Sequence, residues 1–395
     1  MKNTFKTIAL LLMSGLFACT NAQTVSPGAD TTGVVNVDTP ADATATASSI
    51  KKIKLAILLD TSGSMDGLIE QAKNQLWKIV NQLAKAKDSD GRDPEIEIAL
   101  YQYGNDGISA MDGYVQQIYG FTGELDEISE RLFALKTNGG SEYCGTVIKK
   151  SIKELEWSDS REDLQLIFIA GNEAFTQGSV HYKTACNLAN NKNVIVNTIF
   201  CGEYHRGVQL NWQHGARITS GKYMNINSDA QIVHIKSPYD IQINQLNIQL
   251  NNTYIAYGRQ AAVKKSKQIK EDSNAASYGT ANMTTRILSK GGKAYKNSSW
   301  DMVDAAESES FEVAKVEGAQ LPEVMKDMNT EEKTAYIAVK KSERTAIQNQ
   351  IKALGKKREV FVKAERKKMN VETQLDDVII SAIIKQAEGK KYTFE

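Results

Sequence analysis

The sequence predicts a doubly wound α/β domain with a mainly parallel sheet, followed by a C-terminal α-helical extension. Three observations lead there. Near-continuous apolar runs at Ile53–Leu59, Leu164–Ala170 and Val194–Phe200 have the character of parallel strands buried on both faces. Segments with apolar residues at helical spacing lie between them, so strands and helices alternate over about 180 residues. Past Ile235 the strand signal stops and helical spacing takes over.

The elements follow in order. After the first run, Leu68, Ala72, Leu76, Ile79, Val80 and Leu83 recur at helical spacing. Glu95–Tyr103 alternates as a strand does, and Tyr114–Phe121 is a further strand suited to an antiparallel edge. Leu125–Leu135, Thr146–Leu155 and His181–Asn190 have helical character. Trp212–Thr219 is a short helix and Lys222–Ile226 a last strand. In the extension, Ile243, Leu246, Leu250, Tyr254 and Tyr257 lie at helical spacing. Lys264–Ser277 is polar without apolar periodicity, which fits a solvated helix or a loop. Leu321–Lys368 looks like one long helical segment. Pro322 suits its start, and Asn329-Thr330-Glu331-Glu332 offers a second start. Thr330–Lys368 holds 12 Lys+Arg against 5 Asp+Glu, with a stripe of Ile337, Ala338, Ile347, Ile351, Leu354, Val360 and Phe361. We expect a helical hairpin that packs the stripe and leaves the basic residues solvated. A basic face turned to anionic lipid or wall polymer is the lesser alternative.

Composition narrows the function classes. The 395 residues carry 48 Lys+Arg and 47 Asp+Glu, a net charge of +1, which argues against a nucleic-acid binder. Four Cys are too few for a disulfide-built scaffold. At the N-terminus, Lys2 and Lys6 precede the apolar run Thr7–Phe17, the pattern of an export signal. Leu16-Phe17-Ala18-Cys19 resembles the lipobox of bacterial lipoproteins. That resemblance implies a signal peptide at 1–18, a lipidated Cys19, and a place in the bacterial cell envelope on the periplasmic or outer-membrane side. Residues 19–50, rich in Thr, Ala, Ser, Asp and Val, are expected to serve as a flexible linker. The α/β domain is then expected at 51–235 and the helical region at 236–395. In an oxidising compartment Cys144, Cys186 and Cys201 allow one disulfide. Cys186 with Cys201 is the preferred pair, because a helix and the strand after it can bring them close, although the sequence does not fix it.

The chemistry centres on Asp60-Thr61-Ser62-Gly63-Ser64, a D-x-S-x-S string between the first strand and its helix. Open α/β sheets bind ligands at that carboxyl edge. One carboxylate and two hydroxyls converging on a point suit a hard divalent cation, Mg²⁺ or Mn²⁺. Standing alone, the string would favour a helix N-cap, since Ser before a helix is routine there. The apolar strand before it and the amphipathic helix after it favour the ion site.

Ile57-Leu58-Leu59-Asp60-Thr61-Ser62-Gly63-Ser64-Met65 resembles the metal-ion-dependent adhesion site of the von Willebrand factor A (vWA) domain family, over roughly residues 53–235. The resemblance implies a Rossmann-like vWA fold and metal-dependent adhesion or assembly, in which an acidic side chain of the partner completes the ion's coordination. A third loop, Thr137-Asn138-Gly139-Gly140-Ser141-Glu142, places Ser141 where the family has Thr. The fourth loop departs from the family: Ala170-Gly171-Asn172 stands where Thr-Asp-Gly is expected. Glu173, Asn172 or Glu142 could reach in instead. The expected ligands are Asp60, Ser62, Ser64 and Ser141, with Glu173 as a fifth. The lost Asp should lower affinity and leave the ion more dependent on the partner's carboxylate.

No HExxH, GxSxG or GxxxxGK[ST] string occurs, and no enzyme is expected. The only His are His181, His205, His214 and His234. His205 and His214 with Glu203 could hold zinc, but at a spacing that matches no known pattern. Cys144, at a helix start, is a weaker candidate for thiol chemistry. The leading expectation is a lipid-anchored envelope protein whose vWA domain binds an unidentified envelope protein through a degenerate metal site. The alternative is a scaffold with a vestigial site that binds its partner through the C-terminal helices.

Overall fold

The computed structural model describes residues 50–227, 234–369 and 375–394. The expected signal peptide, lipidated Cys19 and nearly all of the linker lie outside the described residues.

The chain opens with β1 (Lys52–Asp60), a strand of which Ile53, Leu55, Ala56 and Leu58 are buried. Helix α1 (Asp66–Leu83) follows, then the short β2 (Ala86–Lys87), β3 (Glu95–Tyr103) and β4 (Val115–Thr122). Next come α2 (Leu125–Ala134), α3 (Cys144–Glu154), β5 (Leu164–Gly171), α4 (Tyr182–Asn191) and β6 (Ile195–Cys201). The α/β part ends with α5 (Tyr204–Gln209), α6 (Trp212–Ile218) and β7 (Tyr223–Ile226). The sheet order is β4-β3-β1-β5-β6-β7, parallel except for the antiparallel edge β4. This is the doubly wound architecture that the alternating pattern predicts, with β1 at its centre.

Alternation along the strands divides the core in two. Leu55, Leu59, Leu166 and Phe168 face one layer, shared with Leu68, Leu76 and Trp77 of α1 and Ile128 of α2. Ala56, Leu58, Ile167 and Ile169 face the other, against Val147 and Ile148 of α3, Ala185 of α4 and Trp212 of α6. The same parity rules out the expected disulfide. Cys186 and Cys201 are both free and buried. Cys186 points from α4 into the second layer, and Phe200 meets it there. Cys201, one residue on, faces the first layer across the sheet.

The C-terminal helices are α7 (Asp240–Asn251), α8 (Ala261–Ser277), α9 (Thr280–Lys290), the short α10 (Met302–Ala305), α11 (Thr330–Lys368) and α12 (Leu375–Glu388). Ile243 and Leu250 of α7, Ile287 of α9, Ile351 of α11 and Ile383 of α12 join the first layer's core. Ser49–Glu395 accordingly form one compact unit. A last strand, β8 (Thr393–Phe394), pairs with β2, and the Tyr392 hydroxyl donates to the Lys52 carbonyl at 3.0 Å.

Two sequence expectations change here. Thr330–Lys368 is a single helix of 39 residues, not half of a hairpin. Asn329 and Glu332 close a capping box at its start, while Pro322 opens only a 3₁₀ turn at Glu323–Met325. Nor are all its basic residues solvated. Arg344 is buried, bonded to Asp301 and Asp304 at 2.6 Å each, and Arg358 meets Asp240 at 2.8 Å. The polar segment Lys264–Ser277 is helical, but its inner face is buried rather than solvated. Gln268, Glu271 and Asp272 lie inside, so no apolar stripe was there to be found.

That polar face belongs to an ionic cluster. Arg286 of α9, fully buried, bonds Asp126 of α2 and Asp272 of α8 at 2.7 Å each, with its guanidinium 4.7 Å from the Trp77 ring centre. Lys290 bonds Asp272 at 2.8 Å and the amides of Asn247 and Asn251. Burial disfavours the charged Asp272, but Lys290 and Arg286 outweigh it and hold the carboxyl well below the usual range.

Removing one member of such a cluster leaves the others charged and unpaired. Asp272→Asn is expected to cost about 3–5 kcal/mol, read as a lower urea midpoint. A loss below about 1 kcal/mol would show that solvent reaches Arg286 and Lys290. Glu271 titrates with the opposite sign. Burial pushes it up to about 7 from an ordinary 4.5. Between those pH values the folded chain holds a proton that the unfolded chain has released, so stability falls as pH rises through that window. Glu271→Gln should flatten that part of the stability–pH curve; an unchanged slope would place the titration elsewhere.

Candidate metal centre

Three loops meet at the carboxyl edge of the sheet, and backbone hydrogen bonds lace them together. After β1, Thr61 N–H donates to the Tyr103 carbonyl at 2.8 Å, and Gly63 N–H to the Gly139 carbonyl at 2.6 Å. Asn138 N–H donates back to the Thr61 carbonyl at 3.0 Å. The Asn105 side chain spans the loops, donating to the Lys136 carbonyl at 2.9 Å. Gly139 sits at φ +66°, and a Cβ there would fall 2.0 Å from the Asp106 carboxyl, so only glycine fits.

Asp60, the last residue of β1, is fully buried. Its Oδ1 accepts from Ser62 N–H at 2.8 Å. The Ser62 and Ser64 hydroxyl oxygens lie 3.3 Å apart, and Asn172 Nδ2 donates to Ser64 Oγ at 3.0 Å. Ser62 is buried and Ser64 exposed, so the site has a closed floor and an open mouth.

A second carboxyl shares the floor. Glu142 is 4 % exposed and lies within hydrogen-bonding reach of Asp60 and Ser62. A methyl built on Gly104 would stand 2.7 Å from Asp60 Oδ1 and 2.9 Å from Glu142 Cγ, so both side chains close over one glycine. Burial, then the adjoining Asp60, pushes Glu142 up to about 9, and burial also raises Asp60. Buried like charges this close retain a proton between them at neutral pH. Asp60 Oδ2, Glu142 Oε2 and Asn172 Oδ1 are buried with no hydrogen-bond partner.

The missing fourth-loop carboxylate has a structural counterpart. Gly171 ends β5, and a Cβ there would lie 2.5 Å from Tyr103 Oη and 3.0 Å from Asp60 Oδ2. The buried Tyr103 hydroxyl fills that space, donating to the Ala170 carbonyl at 2.8 Å. Nothing in the sequence marks Tyr103, because its role depends on its register opposite Asp60.

The structure thus brings Asp60, Ser62 and Ser64 together with Asn172 and Glu142. Ser141 is half-buried beside Glu142. Glu173 is exposed, its charge felt at Asp60 and Glu142. All the donors are oxygens, which fits a hard divalent cation, and the unpartnered buried oxygens fit one as well. Among the described residues no group of three or more His, Cys, Asp and Glu could hold a metal. The other candidate chemistry disperses. Glu203 caps α5, accepting from the backbone of His205 and Arg206, while His214 Nδ1 lies 3.0 Å from the Tyr182 hydroxyl. Burial holds the Cys144 thiol far above its ordinary range, and its Sγ–H donates to Tyr103 Oη at 3.7 Å.

Residues 54–223 match the von Willebrand factor type A domain family. Similar solved structures include BatB from Bacteroides thetaiotaomicron (12 % identity, 44 % of this chain and 90 % of that one, TM-score 0.35). The SpRpn10 VWA domain is another (17 %, 46 % and 91 %, TM-score 0.33). A third is proximal thread matrix protein 1 from the mussel byssus, whose own metal-ion-dependent adhesion site is zinc-occupied (14 %, 46 % and 43 %, TM-score 0.34). No curated protein matches the chain.

The contact between Gly171 and Tyr103 can be measured. Gly171→Ala should destabilise by about 1–3 kcal/mol through overpacking. Tyr103→Phe, which removes the oxygen in the way, should recover part of that loss in the double variant. Additive losses in urea unfolding would show that the two positions do not touch.

Proposed function

We propose that the α/β part of this chain is a divalent-cation-dependent protein-interaction or adhesion module of a lipid-anchored bacterial envelope protein, working through a degenerate metal-ion-dependent adhesion site. The observation that carries this reading is the buried Asp60 carboxyl, one oxygen unpartnered, beneath the paired hydroxyls of Ser62 and Ser64 at the sheet's carboxyl edge.

The chain's own residues divide the work. Asp60 supplies charge from the floor, and Ser62 and Ser64 supply neutral oxygens toward the mouth. Ser141 is the third-loop hydroxyl. A bound Mg²⁺ or Mn²⁺ would supply the positive point to which an acidic side chain of a partner binds. Asn172 steadies Ser64 at the mouth, where that partner would approach. The C-terminal helices brace the layer behind α1. Among the described residues no helix is long and apolar enough to cross a membrane. The lipobox-like Leu16-Phe17-Ala18-Cys19 is what supports the membrane attachment.

The test is thermal unfolding of the full chain in millimolar Mg²⁺ or Mn²⁺ against EDTA. A cation bound only by the folded state raises stability by mass action, about 2.7 kcal/mol at a hundredfold excess over Kd. The upward shift should vanish in Asp60→Ala, and EDTA should release a partner captured from envelope extract. A partner held equally by Asp60→Ala would move the interaction to the C-terminal helices.

A further inference from the structure

We infer that Glu142 supplies the second carboxylate to the cation, from the third loop, replacing the fourth-loop aspartate that Gly171 lacks, so that this chain binds its ion without a carboxylate from a partner. The inference rests on the cation-site reading above and concerns where the charge comes from.

Two facts close the fourth loop to this task. A Cβ on Gly171 would meet Tyr103 Oη at 2.5 Å, and that hydroxyl is buried and fixed by its bond to the Ala170 carbonyl. The next residues do not replace it. Asn172 is neutral and engaged with Ser64, and Glu173 is exposed.

The third loop is built the other way. Gly140 leaves room for the Glu142 side chain: a Cβ on it would lie 3.2 Å from Glu142 Oε1 and 3.0 Å from Ser62 Cβ. The Glu142 carboxyl is thereby directed over Ser62 and toward Asp60. Its backbone is held at both ends, N–H donating to the Gln177 side chain and the carbonyl accepting from Cys144 N–H at 3.1 Å. One oxygen of each carboxyl, Asp60 Oδ2 and Glu142 Oε2, is buried without a donor. Two such atoms in one pocket carry a desolvation cost. A dication between them would offset it and would satisfy both oxygens at once. With two carboxylates beneath it the ion's charge is balanced by this chain alone. The open side, at Ser64 and Asn172, is left for a partner's oxygen of either charge.

The experiment is a Mn²⁺ titration of the full chain, with free ion followed by its electron paramagnetic resonance signal. Wild type should bind without any partner. Glu142→Gln, of the same shape, should weaken binding on the order of tenfold or more, since ligand charge sets affinity in oxygen sites. The triple variant Tyr103→Phe, Gly171→Asp, Glu142→Gln should regain it by restoring the fourth-loop carboxylate. Circular dichroism and the unfolding midpoint in EDTA check that each variant is folded. If wild type binds, Asp60→Ala does not, and Glu142→Gln binds as wild type does, the cation site stands and the role of Glu142 is overturned. If wild type and Asp60→Ala alike leave Mn²⁺ free, the inference falls together with the cation site.

Discussion

Everything at the candidate site follows from the placement of β1. It is a central strand, paired in parallel on both sides and covered on both faces, so its last residue cannot leave the interior. The register does the rest. Asp60 lies opposite Tyr103 of β3, and Leu59 lies opposite Ala170 of β5, which sets Gly171 beside Asp60. A buried carboxyl, a buried phenol and a residue without a side chain are thus forced into one volume. Only two of the three positions can fill it, and the missing side chain at Gly171 is the geometric answer.

The C-terminal helices obey a different rule. Their contact with the α/β layer is partly ionic, through Arg286 and Asp126, and among themselves they are tied by Arg286 to Asp272 and by Arg344 to Asp301 and Asp304. Charges buried in this way add little net stability over apolar packing, but mispairing them is costly. Such a contact tolerates few alternative registers. Hydrophobic burial by Ile243, Leu250, Ile351 and Ile383 holds the helices on, and the arginines fix where they sit.

What was legible in the sequence was whatever declares itself by period. The buried runs and the helical stripes located the sheet and most of its helices, because burial on two faces or one leaves a mark in every residue. Helix α8 left none, its buried face being Gln268, Glu271 and Asp272. The basic count of α11 hid two arginines turned inward, since composition does not reveal direction. The Cys186–Cys201 pairing fails on parity: the two are close along the chain, but Cys201 emerges on the opposite face of the sheet from Cys186. At the site, the loop carrying Asp60, Ser62 and Ser64 was visible as a string. Glu142 was visible only as one of three alternatives, and Tyr103 not at all, because cross-strand register is a property of the sheet and not of any segment.

The pairing of β8 with β2, and of Tyr392 with the Lys52 carbonyl, has a mechanical consequence. The described C-terminus is clasped to the start of β1, the end at which residue 50 enters. Asp60 lies at the other end of the same nine-residue strand, roughly 26 Å away at 3.3 Å per residue. Tension between the entry point and a ligand held at Asp60 would run along β1. Parallel ladders to β3 and β5 flank it on both sides, so the load falls on their hydrogen bonds in shear, many at once, rather than peeling them singly. The strand that sets the site is also the one that would carry force through it.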